Sequence, residues 1–147
     1  MPNRVDNVIA ITGPEADIAH FLDHCFTVDE EGDDLGFDFD CIIPLPSNDE
    51  CAGPYWGTRK NALETAFMDK RPDGLLLWIS TAGTLPEPVY RKLGELFPSL
   101  AFFVTAMDPS EGWAMTMTVR GDRSHVDSAN FCTLYEMIYG ELPPATR

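Results

Sequence analysis

At 147 residues, 44% of them hydrophobic and 23% charged, the chain has the size and composition of one globular domain and not of a disordered polymer. A chain of this length buries roughly 70% of the surface its unfolded form exposes, so neither a metal nor a disulfide is needed for it to fold. Its net charge of −14 disfavours direct binding to nucleic acid, because a phosphate backbone is held through cations.

Val5 to Thr12 alternates, with Val5, Ile9 and Ile11 on one side and Val8 and Ala10 on the other, and stops at Gly13-Pro14; this predicts a strand and a turn. Ile18, Phe21, Leu22, Cys25 and Phe26 follow at the spacing of an amphipathic helix that opens near Pro14-Glu15. Gly36 to Ile43 sets Phe37, Phe39 and Cys41 against Asp38 and Asp40, the pattern of a half-buried strand near an edge, and Pro44 and Pro46 end it. The connection from Pro44 to Asp73 is long for a compact domain, and a short helix is predicted within Arg59 to Met68.

Leu75 to Thr81 reads as an interior strand, and Pro86-Glu87-Pro88 opens a helix that carries Val89, Leu93, Leu96 and Phe97 on one stripe before Pro98. Leu100 to Met107 and Gly112 to Val119 are two further strands joined by a turn at Asp108 to Gly112. A last helix is predicted from about Ser128 to Tyr139, burying Phe131, Leu134, Tyr135 and Ile138 and stopping at Gly140. The order β-α-β-β-α-β-β-α contains two β-α-β units in tandem. The predicted fold is therefore one α+β domain over residues 1–147, a ferredoxin-like split β-α-β sandwich with helices on one face of an antiparallel sheet, extended by a C-terminal hairpin strand and helix.

The N-terminus lacks a basic start followed by an apolar core, and the longest apolar run is Leu75 to Ile79, so neither a signal peptide nor a membrane span is expected. Cys25, Cys41, Cys51 and Cys132 form no CxxC pair, and they read as reduced thiols of a cytoplasmic protein.

Several short motifs stand out: Pro2-Asn3-Arg4-Val5-Asp6-Asn7 leading to Ile11-Thr12-Gly13, then Ile43-Pro44-Leu45-Pro46, then Tyr55-Trp56-Gly57-Thr58-Arg59-Lys60-Asn61, and Ser80-Thr81-Ala82 before a helix ending Leu96-Phe97-Pro98. On these motifs, over Pro2 to about Asp122, the chain resembles the YubB ferredoxin-like family, uncharacterised proteins commonly encoded on bacterial plasmids and phages. The resemblance implies the fold and a mobile-element setting. It implies no cofactor and no catalytic residue.

The segment Tyr55 to Asn61 is the main candidate contact site, with Tyr55, Trp56, Thr58, Arg59 and Asn61 as its binding residues. Aromatic rings give large contact area at low entropy cost, and arginine pairs with carboxylate or phosphate. The alternative is that Trp56 pins the long connection to the sheet. Asp17, His20 and His24 share a helix face and form a weak metal candidate, against the plainer reading of exposed polar side chains. The acidic turn Asp29 to Asp34 lacks the register of a calcium-binding EF-hand loop. Ser124, His125 and Asp127 are too close in sequence to build a nucleophile triad.

Residues 1–58 hold thirteen acids and one cation, Arg4. The functional expectation is accordingly a non-enzymatic accessory protein that engages a protein partner through its acidic surface, without cofactor, membrane contact or direct nucleic-acid binding. A homodimer through a sheet edge or face is an expected assembly. Two alternatives are carried: a small-ligand protein or weak enzyme taking a carboxylate or phosphate at Tyr55 to Asn61, and a nucleic-acid mimic that inhibits a DNA-binding host protein.

Overall fold

The plan of the molecule is set by its first strand, β1 (Arg4–Thr12), in which Val5, Asn7, Ile9 and Ile11 are fully buried while Asp6, Val8 and Ala10 are only partly covered. Because side chains of a strand alternate between faces, this one segment defines a core face and an open face for the whole sheet. The computed structural model describes residues 3–28, 35–46 and 53–143. After β1 come α1 (Glu15–His24), β2 (Phe26–Val28), β3 (Leu35–Phe37) and a 3-10 turn (Phe39–Cys41). They are followed by α2 (Gly53–Trp56), β4 (Glu64–Arg71), β5 (Gly74–Ala82) and α3 (Glu87–Leu96). The chain then continues through β6 (Ala101–Asp108), β7 (Trp113–Arg120), β8 (Arg123–Ala129) and α4 (Phe131–Tyr139).

Six strands form one sheet in the order β4-β5-β1-β6-β7-β8, every neighbouring pair antiparallel. Its first four strands, with α1 and α3 as crossovers, make the ferredoxin-like α+β arrangement, and β7 and β8 extend it at one edge. Both crossover helices lie on the core face. Ile18 and Phe21 of α1 and Val89, Tyr90 and Leu93 of α3 are buried there, and the Phe21 ring stands 5.9 Å from Phe102 and 5.7 Å from Phe97. Among the described residues, no helix is long and apolar enough to cross a membrane.

Three expectations are corrected. Gly36 to Ile43 is not one strand: only Leu35–Phe37 pairs, with Phe26–Val28, in a separate two-stranded ribbon. The Asp38 side chain accepts from the Asp40 N–H at 2.9 Å and turns the chain into the 3-10 helix, so the local side-chain bond displaces the ladder. The outer strand of the split unit is instead β4, running through much of the segment where a helix was predicted. Pro72-Asp73 before Gly74 closes the β4-β5 hairpin, a turn signal that outweighs the weak helical spacing of residues 59–68.

The third correction concerns the C-terminus. β8 occupies Arg123–Ala129, and the helix begins only at Phe131, where the Asn130 side chain accepts from the Thr133 N–H at 2.9 Å. Phe131, Leu134, Tyr135 and Ile138 are half-buried and none is sealed into the core. The Tyr139 hydroxyl donates to the Asp6 carboxylate, which belongs to the open face, so α4 lies across the sheet from α1 and α3. There it shields the end of the open face that holds Thr105, Met107 and Ala114.

Gly94 on α3 packs tightly against the end of β7 and the turn that follows it. A Cβ there would stand 2.3 Å from the Gly121 carbonyl oxygen and 2.5 Å from Val119 Cγ1. Helix propensity alone favours alanine over glycine by about 1 kcal/mol. Gly94→Ala is expected nevertheless to destabilise the fold by about 1–3 kcal/mol, read as a lower midpoint in urea.

Candidate functional site

The Tyr55 to Asn61 segment is drawn inward by its own hydrogen bonds. Trp56 is buried, its ring edge-on to Phe39 at 5.7 Å, and its indole N–H donates to the Ile43 carbonyl at 2.8 Å. Gly57 then turns at φ 78, where a Cβ would meet Pro88 Cδ at 2.7 Å, so the chain can press against the start of α3. The buried Thr58 hydroxyl donates to the Ala82 carbonyl at 2.8 Å. Asn61 Oδ1 accepts from the Phe39 and Ala62 N–H groups at 2.8 and 2.9 Å, and its Nδ2 donates to Asp38 at 2.8 Å. The structure thus brings Trp56, Thr58 and Asn61 together as a clasp joining the 3-10 turn, β5 and α3. Arg59 and Lys60 point outward, and Tyr55 is half-buried against the core.

Asp17, His20 and His24 share their face as predicted, but each is otherwise engaged. Asp17 accepts from the Ser99 hydroxyl at 2.6 Å, and the two histidine rings, 6.0 Å apart, both stand edge-on to Phe97. Among the described residues no three of His, Cys, Asp or Glu are placed to hold a metal ion. His125 and Asp127 pair at 2.8 Å on the open side of β8, while Ser124 alternates to the other side, so the three do not converge. The acidic turn Asp29 to Asp34 and Cys51 lie outside the described residues. Cys25, Cys41 and Cys132 are free thiols. Burial pushes the Cys25 thiol far up, with Cys41 adding to the shift, and burial followed by Asp38 raises Cys41.

A groove that the sequence reading did not single out lies on the part of the open face that α4 leaves uncovered. It has a volume of about 400 Å³ and is floored by Ala10, Ala101, Phe103 and Thr118, with Arg120, Arg123 and His125 along one side. Strand register assembles it: Ala10 pairs with Phe103, Phe103 with Thr118 and Thr118 with His125, while Ala101 pairs with Arg120 and Arg120 with Arg123. Cross-strand partners share a face, so two guanidinium groups, an imidazole and one large ring converge although they come from three strands. Phe103 is 47% exposed in the middle of the sheet.

The charges matter because most other cations are occupied. Arg4, Arg71, Arg91 and Lys92 each pair with a carboxylate, and Lys70 sits over the Phe67 ring at 4.2 Å. Arg120 and Arg123 have no carboxylate partner among the described residues. The sequence signal that could have located them is Arg120-Gly121-Asp122-Arg123, a two-residue hairpin turn that sets its flanking arginines side by side.

Comparison with known proteins gives a likeness of fold. No family model matches the chain, and no curated protein sequence matches it significantly. The crystal structure of a protein api92 from Yersinia pseudotuberculosis, family DUF1281, superposes with a TM-score of 0.63 at 11% sequence identity. The match covers 88% of this chain and 98% of that one, so the likeness of fold extends over most of both chains.

The clasp has a mutational signature. Asn61→Ala strands the Phe39 N–H and removes the bond to Asp38, and is expected to cost about 1–3 kcal/mol, whereas Arg59→Ala is expected to leave the urea midpoint unchanged. The opposite ranking would show that the segment does not act as a clasp.

Proposed function

We propose that this chain is a binding domain whose working surface is the groove on the open face of its sheet, and that the groove takes a small anionic ligand. The observation that carries this reading is the placement of Arg120, Arg123 and His125 beside an exposed Phe103 in a chain of net charge −14. Adjacent guanidinium groups suit carboxylate or phosphate, which they bind through paired, charge-assisted hydrogen bonds. A volume of about 400 Å³ falls within the common range for small-ligand pockets, about 300–1,000 Å³. The surrounding acidic field opposes a long polyanion more than a singly charged molecule, which favours a small ligand over a nucleic-acid strand.

A second reading rests on a different observation, the thirteen acids against one cation in residues 1–58. That acidic half would engage a basic protein partner, in the plasmid or phage setting that the resemblance to the YubB family implies. Charge complementarity of this kind speeds association and selects partners.

Thermal unfolding at matched ionic strength tests the first reading with inorganic phosphate, benzoate and adenosine 5′-monophosphate as probes. A ligand at 100 times its dissociation constant stabilises by about 2.7 kcal/mol. At least one probe is expected to raise the midpoint of the native chain, with the rise lost in an Arg120→Gln, Arg123→Gln variant. Equal behaviour of the two proteins toward every probe would overturn the proposal.

A further inference from the structure

The geometry points to a ligand class more specific than an anion: a planar ring joined by a short linker to a phosphate or carboxylate, the ring lying on Phe103 and the anionic group on Arg120 and Arg123. This inference rests on the groove being the binding surface. It comes from the size pattern of the side chains around Phe103.

Across the sheet, the partners of Phe103 are Ala10 and Thr118, and its neighbours on the same face of β6 are Ala101 and Thr105. All four are small, so on these sides the phenyl ring rises above its neighbours and a flat group can be laid on it without meeting a taller side chain among them. Ring stacking of this kind is tolerant of the ring's substituents, because every aromatic base offers a π face. Its strength does not depend on opposite charge, so it can operate in an acidic protein.

The nitrogen-bearing side chains all lie to one side. Arg120 is one strand over and two residues along from the residue that faces Phe103, since Thr118 is the direct partner. Strand spacing and rise then separate the Phe103 and Arg120 backbones by roughly 8 Å. Arg123 faces Arg120 across the hairpin, and His125 is the next cross-strand partner of Thr118. A ligand read by both features therefore needs a ring and an anionic group separated by a few bonds, the layout of a nucleoside 5′-monophosphate. The side chain of Thr118 is exposed between the two, where its hydroxyl can meet a polar linker.

Isothermal titration of the whole chain tests this, with adenosine 5′-monophosphate, ribose 5-phosphate, adenosine and a single-stranded hexanucleotide as probes. The monophosphate is expected to bind at least about tenfold more tightly than ribose 5-phosphate or adenosine, a margin set by stacking and by the charge contact respectively. Phe103→Ala is expected to remove the advantage over ribose 5-phosphate, and Phe103→Trp to keep it. Phe103 is half exposed, so both variants leave the core intact.

Equal affinity for the monophosphate and ribose 5-phosphate would overturn the ring contact while leaving the anion-binding groove standing. Equal affinity for the monophosphate and adenosine would overturn the charge contact. A hexanucleotide that binds more tightly than the monophosphate would overturn the small-ligand class in favour of a strand. If none of the four binds, and inorganic phosphate and benzoate also fail to separate the native chain from the double arginine variant, the inference and the groove reading fall together.

Discussion

The structure turns on the seating of β1 at the centre of the sheet, locked by a hydrogen bond from the Tyr90 hydroxyl to Asn7 Oδ1 at 2.7 Å. Both side chains are fully buried. The Asn7 amide nitrogen also donates to Thr81 Oγ1 and to the Val5 carbonyl, each at 3.1 Å, and Thr81 donates onward to the Thr84 carbonyl at 2.8 Å. One polar side chain in an otherwise apolar stripe thus ties α3 to β1 and β5. A one-residue slip of β1 would carry Asn7 away from these partners and bring Asp6 or Val8 into the core, so the register is defined by polar as well as apolar groups. Burial also holds the Tyr90 hydroxyl well above its usual range, which keeps it protonated as a donor.

With that register fixed, the two faces of the sheet diverge in chemistry. The core face is closed by α1, α3 and an aromatic chain in which Phe21, Phe26, Phe37 and Phe39 meet ring to ring and end on Trp56. Among the described residues the open face is covered at one end, by α4, whose Phe131, Tyr135 and Tyr139 rings meet in tilted pairs along the helix. The remainder exposes Phe103, with half-covered Leu76 and Trp78 further across the sheet. An exposed ring on a sheet whose other large apolar side chains are mostly buried is more informative than the composition of the surface as a whole.

On the proposed reading, electrostatics is what selects the ligand of the groove. In a chain of net charge −14, two guanidinium groups without carboxylate partners among the described residues create a local positive region inside a negative field. Such an arrangement attracts a compact anion that meets the arginines alone and repels an extended one whose further charges come close to the surrounding acids, because screening leaves only near charges effective at physiological salt. The Tyr55 to Asn61 clasp supplies no comparable region on the inside of its curve, since its buried polar groups bond to the chain itself.

Local patterns in the amino-acid order determined the strands β1, β5, β6 and β7, the two crossover helices and their common face, because each carries an apolar period strong enough to outvote alternatives. The same reading placed Trp56, Thr58 and Asn61 in one segment, though not their inward bonds, which depend on Ile43, Ala82 and Phe39 arriving from elsewhere in the chain. β4 and β8 were illegible because edge strands are mostly polar and owe their existence to a paired neighbour, not to their own periodicity. Only tertiary structure decided the groove. Phe103, Arg120, Arg123 and His125 carry no shared motif, and they meet because antiparallel register sets residues from three strands on one face at fixed spacing.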